Sequence, residues 1–337
     1  MIVEALASLL EGESLGRAHS RAVMDEIMRG EASPAQIGGF LVALRLKGET
    51  PDEIAGCAEA MREHVLPVRP ERDDLVDTAG TGGDGASTIN ISTAAAIVAA
   101  AAGAGVAKHG NRAVSSASGS ADVLEALGFS LEQPPDRIAL SIDELGFGFM
   151  FAPLHHPAMR HAAPVRRELA ARTVFNVLGP LTNPAGARAQ VIGVYTPELV
   201  RPIAETLAQL GARRAFVVHG AHGIDERSPA GPNLVCEVVD GDISERQIDP
   251  LELGLDRCDP AELRGGSPAE NAQAIRDVLA GAGGGRRDAI LLNAAGAIAA
   301  AGHAADLREG LELARDAVDS GAAGERLEEL ARFSRAL

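Results

Sequence analysis

The 337-residue sequence predicts a small all-helical domain followed by a larger α/β domain with a mostly parallel central sheet. Three observations predict it. The first sixty-odd residues carry helical patterns only, each with its own start and stop signals. From Leu75 onward, short apolar runs that end in glycine-rich turns alternate with helical segments, as in βα units buried on both faces. The chain is also long enough, at 46% hydrophobic residues, to bury a sizeable core in roughly two domains.

The helical part starts from local chemistry. Ser33-Pro34-Ala35-Gln36 is a capping box with proline at the first helical position; Ile37, Phe40, Leu41 and Leu44 then recur at helical spacing until Gly48 stops the turn. Thr50-Pro51-Asp52-Glu53 repeats the device, and its helix is expected to run to about His64. Val65 to Pro70, "VLPVRP", reads as a stiff extended linker. Six runs then fit buried strands: "LVDTAG", "GVAKHG", "AQVIGVY", "RAFVVHG", "LVCEVVD" and "DAILLNAAG". Residues 155 to 187 break the alternation with a charged helical stretch and Gly-Pro and Asn-Pro turns, so the chain is expected to return there to the helical domain across a cleft. The expected division is residues 1–70 joined by about 160–187 as the helical domain, with 71–159 and 188–337 as the α/β domain.

Composition excludes several functions. The formal net charge is −16, with 31 Lys and Arg against 47 Asp and Glu, which argues against nucleic acid as a partner. Cys57, Cys236 and Cys258 are far apart and odd in number, so they read as small buried hydrophobes rather than as a disulfide framework or zinc site. The start, "MIVEALASLLEGES", lacks the basic region of a secretory signal, and the uncharged run from Thr88 to Ala107 suits a buried helix better than a membrane span. A cytoplasmic protein without a membrane partner is expected.

Chemistry concentrates in three loops. "GTGGD" at residues 80–84 follows a strand and leads to "NIST" at 90–93, where Ser92 or Thr93 is placed to cap a helix. Flexible glycine backbone, exposed amides and a positive helix end make an anion site there, one fit for phosphate or pyrophosphate. The spacing is neither the Rossmann nor the Walker pattern. A second strand ends in Lys108, His109, Asn111 and Arg112 before a Ser/Gly loop that enters a helix at about Ser120, a second polyanion cradle. Both loops sit at the carboxyl ends of parallel strands and would face one crevice. In the third loop, "AHGIDERSPAGP", the adjacent Asp225 and Glu226 could bind Mg²⁺, although an acidic pair in a loop is usually only solvated.

These stretches, together with the helical start "SPAQIGGFLVALRLKGETPDEIAG", the long "FAPLHHPAMRHAAPVRRELAARTVFNVLGPLTNPAG" and the late "ENAQAI" and "LLNAAGAI", resemble the anthranilate phosphoribosyltransferase family over nearly the whole chain. "KHGNR" and "RTVFNVLGPLTNP" are its most specific parts. The resemblance implies transfer of the phosphoribosyl group of phosphoribosyl pyrophosphate (PRPP) to the amine of anthranilate. It implies that Gly80, Gly83, Asp84, Thr88, Asn90, Ile91, Ser92 and Thr93 hold the pyrophosphate. Lys108, His109, Gly110, Asn111, Arg112, Ala113, Val114, Ser115, Ser116 and Ser120 would complete the PRPP site. Anthranilate would meet Gly80, Asn111 and Arg166, and magnesium, two ions per subunit, would meet Ser92, Asp225 and Glu226. No acid or base is assigned; Lys108, Arg166 and His109 would act by position and charge. With the resemblance, apolar residues on the first helices imply a homodimer through the helical domain.

Two positions depart from the family pattern. "HGAHGIDE" puts His222 where an aspartate is expected, and Ala170 stands where glycine is expected shortly before Arg172-Thr173. Two other functions compete. A pyrimidine nucleoside phosphorylase would share the fold and phosphate loops, but the uninterrupted "KHGNR", the second anion loop and Arg166 oppose it. A non-catalytic phosphometabolite sensor should have lost the metal carboxylates or Arg166, and both are present.

Overall fold

The computed structural model describes residues 1–113 and 117–336. Four helices come first: α1 (Ile2–Leu10), α2 (Arg17–Met28), α3 (Pro34–Lys47) and α4 (Pro51–Glu63). Both expected capping boxes form, Ser33 with Gln36 and Thr50 with Glu53. Each satisfies backbone donors that the first turn would otherwise leave unpaired.

Beyond the linker, βα alternation begins: β1 (Leu75–Gly80), α5 (Ile91–Ala101), β2 (Gly105–Gly110), α6 (Ser120–Ala126), α7 (Pro135–Leu145) and β3 (Phe147–Phe151). Three helices follow, α8 (Ala152–His155), α9 (Ala163–Leu169) and α10 (Phe175–Leu181), then β4 (Ala189–Gly193), α11 (Val200–Gln209) and β5 (Arg214–His219). The rest is β6 (Asn233–Val239), β7 (Asp242–Ile248), α12 (Pro268–Leu279), α13 (Gly285–Ala301), α14 (Leu307–Asp319) and α15 (Ala322–Arg335).

The strands form one sheet in the order β3-β2-β1-β4-β5-β6-β7, parallel from β3 to β5 and antiparallel at β6 and β7. Its two faces feed different cores, as strand alternation requires. Phe216 and Val218 of β5 join the core under α5, α13, α14 and α15, whereas Ala215 and Val217 join α11 and the helical domain. The returning segment packs on that second side, α9 against α3 and α10 against α4 and β1.

One strand expectation is corrected and two strands are added. "DAILLNAAG" is not a strand but part of α13, whose residues from Ala289 to Ala301 are all buried. A helix that is apolar all round shows no 3.6-residue stripe, so its run cannot be told from a buried strand. β3 and β7 were not anticipated. β7, "DISERQI", is an exposed polar edge strand and hides its period, but the Asp240-Gly241 turn before it has both residues at positive φ, 47° and 97°, as a tight hairpin requires.

Candidate active site

The carboxyl ends of β1, β4 and β5 meet under the glycine loop, and glycine is required there for a reason the sequence does not show. A Cβ at Gly80 would stand 2.8 Å from Asp225 Cγ and closer still to its carboxylate. A Cβ at Gly193 would lie 3.2 Å from Asp225 Cα and overlap its carbonyl oxygen; one at Gly220 would overlap the Glu226 carbonyl. Three strand ends are thus pared back so that the backbone of Asp225 and Glu226 can press onto the sheet.

The loops are then stitched to that pair. Gly82 N donates to Asp225 Oδ2 at 2.7 Å, Asp225 N to Asp84 Oδ2 at 3.4 Å, and Ser92 N to Glu226 Oε1 at 3.1 Å. Asp84 also accepts from Ala86 N at 3.1 Å. The expected cap of α5 is corrected here: Asn90 is the N-cap, Ser92 and Thr93 lie inside the first turn, and a carboxylate rather than a hydroxyl takes the Ser92 amide. Ile91 and Thr93 are 1% and 0% exposed, so neither side chain offers a surface to a ligand. Thr88 bridges to Arg264.

Lys108 is 1% exposed, and its ammonium donates inward to Thr78 O, Thr78 Oγ1 and Ser92 Oγ. Burial lowers its pKa, opposed by Asp77 and Glu226. Burial pushes Glu226 up to about 7 against the pull of Lys108. Asp225 is raised well above the carboxylate range by burial, then by Glu226 and Asp84. Asp225 and Glu226 lie side by side here and ionise reluctantly as a pair. Among the described residues no three His, Cys, Asp or Glu side chains close into a metal cage. The adjacent carboxylates of Asp225 and Glu226 suit a hard cation that takes one or two of them and fills its remaining positions with substrate phosphates and water.

The second loop is differently spent. Arg112 forms ion pairs with Asp122 and Glu125 and lies 5.6 Å from the Phe151 ring centroid, so its charge is neutralised on α6 rather than free in the cradle. Ala113 N donates to Asp122 Oδ2 at 2.8 Å; Asn111 is exposed, and Ser120 opens α6. A Cβ at Gly110 would meet Phe149 at 2.8 Å. Val114, Ser115 and Ser116 lie outside the described residues.

His109 and His156 form a neutral pair. His109 Nδ1 donates to Gly179 O at 3.2 Å, so its Nε2 accepts from His156 Nε2 at 3.2 Å. Burial lowers their pKa values to about 3 and about 4. Neither is suited to hold a proton at neutral pH. Asp77, raised by burial to about 6, accepts from His109 N at 3.1 Å and Asn183 Nδ2 at 2.7 Å. Arg166 on α9 is half-buried, 5.0 Å from the Phe175 ring centroid, and forms no ion pair among the described residues; burial lowers its pKa.

Both departures fall on left-handed backbone. Ala170 caps α9 at φ 46°, which accounts for the glycine expected there. His222 has φ 63°; aspartate and histidine both tolerate that region better than most side chains, so the turn accommodates the exchange. His222 is exposed. Sequence reasoning missed Arg172, whose guanidinium donates to Gly83 O and lies 4.0 Å from the Tyr195 ring centroid. It also gave no role to Asn271, which reaches Asn90 at 2.9 Å. Both lie in quoted motifs, which was the available signal.

Comparison with known proteins agrees along the chain. Residues 3–65 match the helical bundle domain of a glycosyl transferase family, and residues 72–324 match its a/b domain. The anthranilate phosphoribosyltransferase of Anaeromyxobacter sp. is 56% identical over 335 residues, covering 99% of each chain. That of Symbiobacterium thermophilum is 50% identical over 332 residues, 98% of this chain and 97% of its own. The crystal structure of the Thermus thermophilus enzyme superposes with a TM-score of 0.94 at 52% identity, over 98% of this chain and 99% of that one. The Saccharomyces cerevisiae enzyme in complex with PRPP and Mg gives 0.90 at 29% identity, over 100% and 98%.

Proposed function

The chain belongs to the anthranilate phosphoribosyltransferase family, and from that membership we propose how its own residues share the reaction. The reaction transfers the phosphoribosyl group of PRPP to the amine of anthranilate, giving N-(5-phosphoribosyl)anthranilate and pyrophosphate in tryptophan biosynthesis. The protein binds magnesium with PRPP.

The observation that carries the residue-level reading is the convergence of Asp84, Asp225 and Glu226 with Lys108 beneath the glycine loop. Gly80, Gly83, Asp84, Thr88 and the segment from Asn90 to Thr93 receive the pyrophosphate, the Ser92 amide remaining on Glu226, and His109 to Ala113 with Ser120 form the opposite wall. Ser92, Asp225 and Glu226 are the ligands for two magnesium ions per subunit. When bound, the metal offsets negative charge that builds on the departing pyrophosphate as the ribose C1 bond breaks. Lys108 acts from below: its ammonium is satisfied inside the fold, and its field favours the ionised form of Glu226.

The amine of anthranilate is unprotonated near neutral pH and needs placement more than activation. Arg166, desolvated and without an acid partner among the described residues, holds the anthranilate carboxylate, with Asn111 and Gly80 beside it. The His109–His156 pair, fixed as neutral tautomers, shapes the acceptor side without holding charge.

We also place the protein in the cytoplasm as a homodimer through the helical domain. Val3, Leu10, Val42 and Leu46 on the packed helices α1 and α3 are 63%, 75%, 40% and 83% exposed, which supports a covering partner.

Loss of anthranilate fluorescence with PRPP and Mg²⁺ tests the residue assignment. Wild type should consume anthranilate only with both present, and the Asp225→Asn/Glu226→Gln double variant should need far more Mg²⁺. An unchanged Mg²⁺ titration in that variant would remove the pair from the metal site.

A further inference from the structure

The late "ENAQAI" stretch has no role in the reaction as described so far, yet the fold carries it to the anion loops. α12 begins beside the segment that zips onto the first loop: Ile89 N donates to Leu263 O at 2.9 Å and Gly265 N to Ser87 O at 2.8 Å. A Cβ at Gly265 would stand 2.6 Å from Asn271 Oδ1 and 2.7 Å from Thr88 O, so the two backbones and the Asn271 amide occupy one tight layer.

Asn271 is 2% exposed and uses both ends of its amide. Its Oδ1 accepts from Gly266 N at 2.7 Å, and its Nδ2 donates to Asn90 Oδ1 at 2.9 Å. Asn90 Oδ1 also accepts from Ser118 Oγ at 3.0 Å, while Asn90 Nδ2 donates to Ser118 O at 3.0 Å. Asn90 is the N-cap of α5 in the first loop, and Ser118 lies in the second. One amide therefore joins three separate segments, and Asn271, together with the Ser118 carbonyl, determines which way round the Asn90 amide stands. With Asn271 donating, Asn90 must present its oxygen to α12 and its nitrogen to Ser118.

We propose that Asn271 is a positioning residue for PRPP: it orients the Asn90 amide and thereby holds the two anion loops in mutual register. It acts through Asn90 rather than by touching substrate. The proposal rests on the placement of PRPP between these loops.

The test uses Asn271→Asp, Asn271→Ala, Asn90→Ala and the double variant Asn90→Ala/Asn271→Ala, with KM measured separately for PRPP and anthranilate. Asn271→Asp keeps side-chain volume and the acceptor for Gly266 N but replaces the donor with a carboxylate oxygen, and Asn271→Ala controls for the charge this adds. Both Asn271 variants should raise KM for PRPP about tenfold, the scale of a lost bond whose partner stays buried, with KM for anthranilate unchanged. The double variant should be no worse for PRPP than Asn90→Ala alone. A wild-type PRPP KM in Asn271→Asp, an equal rise for both substrates, or additive effects in the double variant would overturn the proposal. A wild-type PRPP KM in Asn90→Ala would overturn the placement of PRPP itself, and the coupling with it. An impaired Asn90→Ala beside wild-type Asn271 variants would overturn the coupling alone.

Discussion

Adding one methyl group at Gly193 should disable the metal loop while leaving the sheet folded. Gly193 ends β4, paired between Gly80 of β1 and Val218 of β5. Its Cβ would overlap the Asp225 carbonyl, which must retreat by about 2 Å to an ordinary contact distance. The loop has nowhere to yield freely. It is held by Gly82 N on Asp225, by Ser92 N on Glu226, and by the reciprocal bonds of Arg227 with Asn293 at 3.0 and 2.8 Å. A misplacement of about 1 Å at a reacting centre can cost on the order of 10²-fold in rate, or about 2.7 kcal/mol of barrier. Gly193→Ala should therefore lose at least two orders of magnitude in kcat/KM, with an increased Mg²⁺ requirement. Overpacking should cost stability only about 1 to 3 kcal/mol, so the far-UV circular dichroism should persist. The assay is the initial rate of anthranilate fluorescence loss across a Mg²⁺ titration. Gly283→Ala, where a Cβ meets nothing within 4 Å, is the control. If Gly193→Ala fails to fold, Gly80→Ala presses chiefly on the Asp225 side chain and gives a milder version. Wild-type kcat and Mg²⁺ half-saturation in a folded Gly193→Ala would refute the claim that these glycines seat the metal loop.

Four further outcomes follow from the site. Ala170→Gly should stabilise the protein by about 1 kcal/mol in urea unfolding, because φ 46° strains alanine and not glycine; a loss of stability would mean the helix end is unstrained. The Mg²⁺ concentration for half-maximal rate should fall as pH rises from 6 to 8, since Glu226 titrates at about 7 and its proton competes with the metal. That raised pKa also means the metal-free fold favours protonated Glu226, so stability should decline as pH rises from about 4.3 to the folded value, which differential scanning calorimetry with chelator can follow. Arg166→Ala should raise KM for anthranilate roughly tenfold or more and leave that for PRPP nearly unchanged, with Arg166→Lys rescuing only in part; equal damage to both constants would make it a structural arginine.

Short-range rules made much of this protein legible in advance. Capping boxes act over three residues, strands end in glycine within one turn, and clustered glycines, serines and cations mark anion loops without reference to distant chain. These rules located α3, α4, β1, β2, β4, β5 and β6, and the long quoted motifs identified the family. α13 escaped them because burial on every side erases its period, and β7 because exposure on an edge does the same. What occupies the space left by Gly80, Gly193 and Gly220 was a matter for tertiary structure. So were the inward turn of Lys108, the neutralisation of Arg112 by α6, and the reach of Asn271 to Asn90 across 181 positions. Local sequence determines which backbone and charge are available. Only folding decides which of them meet, because contacts between segments so far apart depend on how the layers pack and not on spacing along the chain.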